Sequence, residues 1–219
     1  MGETSLPIWR WVGDQAILRE FRGDGLARRN ESARALYDRL RELRLVEVED
    51  VVPAAASVLV LLRAGAKPPF DLLSALENEE PTARATVPRE PRVHEIEVAY
   101  GGDAGPDLAD LARLHGLDER TIVALHASTQ YTVGFLGFSP GFAYLIGLPA
   151  VLATSRLATP RTRVPAGSVA VGGEFTGIYP RPTPGGWRIL GRTDASLFDP
   201  HADPPSRLLP GDRVKFVPR

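Results

Sequence analysis

Glycine and proline are spread so unevenly that the chain must hold two kinds of architecture. Residues 1 to 133 contain 9 Gly and 8 Pro, whereas residues 134 to 219 contain 12 of each. A stretch that turns so often cannot build long elements, so the second part is expected to form short strands in a barrel or sandwich. The first part can support longer regular elements.

The turn at Gly13-Asp14 predicts a strand over 16–21. NESARALYDRLREL then places Ala33, Leu36, Leu40 and Leu43 at helical spacing, with Asn30 or Ser32 available to cap. VEVEDVV alternates as a strand from Val46, SVLVLL follows after Pro53, and PFDLLSALENE predicts a short helix near Pro69. Strands mixed with helices over about eighty residues predict a small α+β sandwich spanning 1–80. PTARATVPREPR (81–92) is polar, proline-punctuated and aperiodic, which predicts a linker before a second domain at 93–219.

VHEIEVAY sets His94, Ile96, Val98 and Tyr100 against Val93, Glu95, Glu97 and Ala99, the period of a strand. Residues 105–129 then predict two helices, with Pro106 at the first turn, Gly116 at the first helix end and Asp118 as the second cap. The same outline fits a helix-turn-helix DNA reader. However, residues 107–127 carry Asp107, Asp110, Asp118 and Glu119 against only Arg113 and Arg120. A recognition helix opening on Asp-Glu repels phosphates, so the pair is expected to pack on the barrel.

The absence of cysteine excludes thiolate nucleophiles and cysteine-ligated metals. Lysine occurs only at Lys67 and Lys215, which leaves almost no place for a Schiff base or a biotin carrier, so no covalently bound cofactor is expected. A net charge of -1 points to neither nucleic acid nor an anionic membrane as partner. The N-terminus lacks the pattern of a signal peptide and the apolar runs are too short to span a bilayer, so a cytoplasmic location is expected. No histidine pair has metal-site spacing, and none of the glycine motifs for mononucleotides or dinucleotides is present.

GFSPG (137–141) matches G-x-S-x-G, and Asp199 and His201 follow in the order a serine hydrolase uses. That chemistry needs strand, turn and helix around the serine, and an oxyanion donor from the next backbone N–H. The next residue is Pro140, which has no N–H. Losing one such donor costs about 3 kcal/mol of transition-state stabilisation. Ser139 is therefore read as a turn residue.

From His126 onward come HASTQYTVGFLGFSPGFAYLIGLP, TPRTRVPAGSVAVGGEFTGIYP, PGGWRILGRT, LFDP and LLPGDRVKF. These motifs, with YGGDAGPDL before them, resemble the family of 5-oxoprolinase B subunits, also labelled allophanate hydrolase subunit 1. One branch is known as a sporulation-kinase inhibitor. The resemblance implies a small N-terminal α+β domain followed by a cyclophilin-like β-barrel. It implies two partners: a homologue of the 5-oxoprolinase C component (allophanate hydrolase subunit 2) and a third, A component. Together they open the lactam of 5-oxoproline to glutamate using ATP, expected with Mg2+ and at a partner interface. Related modules occur in urea carboxylase.

Lactam opening through phosphoryl transfer calls for cationic donors and a water-poor pocket. Within the resemblance, Arg161, Arg163 and Arg192 are the candidates for phosphate or substrate carboxylate, and His126 is the candidate proton carrier. Catalysis is placed on His126, Arg161 and Arg192, and substrate contacts on Tyr144, Arg163, Ser168, Phe175, Thr176 and Tyr179. The pairs Gly172-Gly173 and Gly185-Gly186 would let backbone approach a ligand, though tight turns explain them equally well. Phe175 departs from the family, which usually carries glutamine there, so an aromatic ring replaces an amide able to pair with a lactam. Two other roles share these features: a regulatory module acting on a histidine kinase, and a prolyl isomerase that needs the barrel alone.

Overall fold

The computed structural model describes residues 9–23, 25–69, 73 and 90–219. The chain divides into two compact units, Met1–Glu90 and Pro91–Arg219. The expected helix near Pro69, apart from its first residues and Leu73, and most of the expected linker lie outside the described residues.

In the first unit, β1 (Trp9–Trp11), β2 (Ala16–Glu20), β3 (Val48–Pro53) and β4 (Ser57–Leu62) form an antiparallel sheet in the order β1-β2-β4-β3. Helix α1 (Leu26–Leu43) packs on β3 and β4. In SVLVLL every second side chain is buried, and Val58, Val60 and Leu62 meet Ala33 and Leu40 of the helix in one core. Each such burial contributes roughly 1.5–3 kcal/mol. The helix begins earlier than its sequence predicts, at a Gly25 cap with φ 74° that offers no side-chain oxygen. Asn30 is not a cap: it sits buried inside the helix and donates to the carbonyls of Ala54 and Ala55 at 3.3 and 3.2 Å. It ties the helix to the β3–β4 turn. The strand expected from Val46 starts at Val48, because Arg44 leaves the helix in the left-handed region and Val46 falls in the exposed turn that follows.

The second unit is a closed seven-stranded barrel. Its strands are β5 (Val93–Tyr100), β6 (Gln130–Leu136), β7 (Ala143–Ile146), β9 (Ser168–Gly172), β10 (Phe175–Ile178), β12 (Arg188–Arg192) and β13 (Arg213–Pro218). They run β10-β7-β6-β13-β5-β12-β9 around the barrel. Among these strands only β13 and β5 pair in parallel, with Phe216 beside Ile96. The alternation of VHEIEVAY holds: Ile96 and Val98 are buried with Tyr131, Val133, Leu145, Val169, Ile178, Val214 and Phe216 in the interior. Helices α2 (Leu108–His115) and α3 (Glu119–Ser128) add a second apolar layer against Val171 and Leu190. Gly116 ends α2 with φ 65°, and Asp118 caps α3 by accepting from the Thr121 N–H at 2.6 Å. Strands β8 (Arg161–Val164) and β11 (Thr183–Gly185) pair with each other in a separate two-stranded ribbon.

At one edge Asp212, wholly buried, accepts from the N–H groups of Arg92 and Leu209 at 3.0 Å each and lies 3.1 Å from His94 Nε2. His94 is thus the partner of a carboxylate that fastens the barrel strands.

Candidate functional site

The barrel wall has two faces, and the parity of each strand decides which one a side chain joins. On β7, Ala143 and Leu145 point inward and Tyr144 points outward; on β10, Ile178 joins the interior and Phe175 the outer face. The outward set gathers Phe142, Tyr144, Phe175, Tyr179 and Trp187 into an aromatic ledge. Trp187 meets Phe142 and Tyr144 edge-on at 5.4 and 5.6 Å, and Phe175 stands edge-on to Tyr144 at 5.5 Å. Phe135 stacks on Tyr144 at 4.3 Å.

Glycines make this ledge possible. A Cβ on Gly172 would stand 2.5 Å from Cδ1 of Trp187, and one on Gly185 would stand 2.5 Å from the Tyr179 hydroxyl oxygen. One on Gly177 would come within 3.3 Å of both Phe142 and Trp187. Gly172 and Gly185, the first of each glycine pair, and Gly177 therefore seat aromatic rings. Gly173, with φ 63° and open space around it, is the one that serves the turn.

Two arginines border the ledge. The charges of Arg156 and Arg161 both act on Tyr179, and Arg156 acts on Tyr144 as well. Burial raises the pKa of both tyrosines, opposed at Tyr179 by the backbone N–H of Trp187 and by these arginines. Arg161 Nη2 donates to Oδ1 of Asp107 at 2.6 Å, and Oδ2 of that carboxylate accepts from the Ile189 N–H at 2.6 Å. Arg161 Nη1 is shut from water and meets no acceptor among the described residues. An unmade bond on a buried donor costs about 1–3 kcal/mol.

The structure brings Tyr144, Phe175, Tyr179 and Arg161 of the expected set together here. It separates His126 and Thr176 from them. His126 is wholly buried, stacked on Phe216 at 4.6 Å. Its Nδ1 lies 2.7 Å from the Tyr100 hydroxyl and its Nε2 lies 2.9 Å from Thr176 Oγ1. Thr176 donates to the Ala170 carbonyl at 3.0 Å, so its oxygen accepts from Nε2–H, and Nδ1 accepts from Tyr100. One neutral tautomer satisfies every group in this chain of bonds. Burial lowers the His126 pKa to about 3, so the ring stays uncharged at neutral pH. In this position it orders the barrel wall behind Phe175 and has no route to a ligand on the outer face.

Ser168 is buried on β9, opposite Arg192 of β12 in the strand register. Arg192 and Arg163 are exposed and meet no polar side chain among the described residues. GFSPG is a loop between the antiparallel strands β6 and β7, not a strand-to-helix turn. Ser139 Oγ has no hydrogen-bond partner among the described residues, and Phe138 beside it is exposed with φ 64°. A hollow of about 430 Å³ lies elsewhere, between Tyr100, Leu108, Glu119, Val123 and Pro218.

Sequence reading missed Arg156, Trp187 and Asp107. Asp107 stands in YGGDAGPDL, where sequence alone counts it only among the acids of the helix pair. Its partner lies 54 residues away.

Residues 7–208 match the family described as carboxyltransferase domain, subdomain C and D. A 5-oxoprolinase B subunit from Escherichia coli is 49% identical over 179 residues, covering 80% of this chain and 82% of that protein. One from Haemophilus influenzae is 51% identical over 123 residues, covering 56% and 58%. Among solved structures, TTHA0988 superposes with a TM-score of 0.78 at 36% identity over 94% of this chain, which spans 40% of that longer chain. PH0987 from Pyrococcus horikoshii is 40% identical, with 97% of each chain covered and a TM-score of 0.57. The urea amidolyase of Kluyveromyces lactis, at 18% identity and a TM-score of 0.74, shares the fold over 15% of its length. By the extent of these matches, the chain belongs to the family of 5-oxoprolinase B subunits, built on carboxyltransferase-type domains.

Proposed function

We propose that the chain is one component of a cytoplasmic, ATP-dependent 5-oxoprolinase and that the aromatic ledge carries its share of the substrate site. The unpartnered Arg161 Nη1 beside Tyr179 is the observation that supports this placement. A small lactam with one carboxylate asks for a flat apolar surface and a fixed cation, and the ledge offers both. Tyr144 and Phe175, backed by the buried Trp187, supply the surface; Arg161 takes the carboxylate or a transferred phosphoryl group; Arg156 adds a second positive charge. Phe175 in the glutamine position makes the wall more apolar, so contact with the lactam amide falls to the partner subunits.

The barrel is read as cyclophilin-like, with the A and C components of the enzyme completing the site. ATP, with Mg2+, is assigned to that interface, and when bound it supplies the phosphoryl group that turns the lactam nitrogen into a better leaving group. The residues of this chain seat the ring and fix its carboxylate, so that one water oxygen bonds the carbonyl carbon as the C–N bond breaks and a proton from that water goes to nitrogen.

Co-expression with the A and C components, purification and a glutamate-release assay test the reading. A stable complex that releases glutamate only with ATP and 5-oxoproline is expected, and Arg161→Ala should lower kcat/KM by about tenfold to a hundredfold. No complex and no turnover would overturn the function. Full activity in Arg161→Ala would overturn the site.

A further inference from the structure

The Asp107–Arg161 pair is built differently from a closed ion pair. A carboxylate and a guanidinium commonly join by two parallel bonds. Here the second carboxylate oxygen accepts from the Ile189 N–H at 2.6 Å, and Arg161 meets the carboxylate through Nη2 alone. Asp107 cannot swing to improve the match. Its own N–H donates to the Ile189 carbonyl at 3.0 Å, and Gly105 before it lies so close to the Leu190 carbonyl that no Cβ would fit. The Asp107 side chain is 7% exposed and that of Arg161 29%. The carboxylate is the anchor, and the guanidinium is the more exposed member of the pair.

We propose that Asp107 is a positioning residue that holds Arg161 by one end, so that Nη1 is directed to an anionic oxygen of a small carboxylated or phosphorylated ligand on the ledge. Both Asp107 oxygens are engaged, the Tyr179 oxygen faces the Trp187 N–H, and Arg156 brings a further cation. An orphaned donor in such a place is free to take a ligand acceptor. Arg161 rides on the β8–β11 ribbon, which pairs apart from the barrel sheet, so the side chain can adjust to a ligand without breaking a barrel ladder. The inference rests on the ledge being the substrate site proposed above.

Asp107→Asn in the assembled complex tests it. The amide oxygen still serves Ile189, while the amide N–H now opposes Nη2 and releases the guanidinium. The KM for 5-oxoproline should rise about tenfold or more with kcat within about threefold, because the lost group acts on binding. A rise in the KM for ATP instead assigns Nη1 to a phosphoryl oxygen. Arg161→Lys, which keeps the charge and the Asp107–Ile189 bond, should show the same rise at an unchanged thermal midpoint. The double variant should be no worse than either single one. Unchanged KM values in Asp107→Asn, or additive effects in the double variant, overturn the proposal while leaving the oxoprolinase reading intact. Where the complex shows no turnover, the isolated chain is titrated with 5-oxoproline and with inorganic phosphate while the Arg161 Nε–Hε resonance is followed by NMR. A shift that Asp107→Asn abolishes upholds the clamp, and no shift with either probe removes it.

Discussion

Trp187 lies on the bare backbone of Gly172, so close that a Cβ at that glycine would stand 2.5 Å from the indole Cδ1. Gly172 ends β9 and Trp187 immediately precedes β12, and Trp187 is 4% exposed. The ledge thus depends on an atom that is absent. Gly172→Ala should destabilise the C-terminal unit by about 1–3 kcal/mol and displace the ring, seen as a lower denaturation midpoint and a red-shifted Trp187 emission. Gly173→Ala, where space is open but φ is 63°, should cost about 1 kcal/mol and leave the emission in place. Equal emission shifts in the two variants would contradict the seating of the indole on Gly172.

His126 predicts an acid-side loss of stability. Its pKa is lowered to about 3 in the folded protein, so below about pH 6.5 the unfolded chain binds a proton that the native state refuses. Stability should fall with falling pH by about 1.4 kcal/mol per unit from this group, between the unfolded value and about 3, and be unaffected above that window. Chemical denaturation at a series of pH values checks it against His126→Gln. The variant is less stable at neutral pH, and its deficit should shrink as pH drops. A deficit that stays constant would show that His126 ionises freely in the native state.

Asp212→Asn places an amide N–H among groups that donate: the backbone N–H of Arg92 and Leu209, and His94. A loss of about 2–4 kcal/mol is expected, since the buried site offers no water to the stranded donors. Hydrogen exchange should accelerate first at the Arg92 and Leu209 amides. Exchange that accelerates uniformly through the barrel would argue against Asp212 as a local fastening.

At Phe138 the usual order of alanine and glycine should invert. Its φ of 64° disfavours any residue with a Cβ, and its ring is 59% exposed above Phe142 and Tyr179. Both Phe138→Ala and Phe138→Gly lose the ring, so their difference isolates the backbone. Glycine should be the more stable of the two by about 1 kcal/mol, measured by urea denaturation.

Where one face of an element is apolar and the other polar, the sequence is transparent. VHEIEVAY and SVLVLL show their faces by parity, and Gly116 and Asp118 mark helix ends by local chemistry that needs no distant partner. FTGI of β10 is different: it has cover on both sides, Phe175 in the ledge and Thr176 under His126. Nothing in the motif tells which neighbour faces a ligand, and so sequence alone groups the two together. Asn30 likewise reads as a cap because its type favours one, until the β3–β4 turn supplies carbonyls for it. The arginine and carboxylate of the proposed clamp meet only after the barrel closes, across 54 residues. Local grammar carries the elements; long-range closure selects which side chains share a site.

The parallel pairing of β13 with β5 has a consequence for synthesis. Because β13 is inserted between β5 and β6, a nascent chain whose translation has not passed Val217 carries β5 and β6 as open edges, each with unpaired N–H and C=O groups. The ring of Phe216, on which His126 stacks, arrives with that same strand. On the ribosome the barrel is thus an unclosed sheet for most of its elongation, exposed to edge-to-edge association until its last-made strand enters the gap.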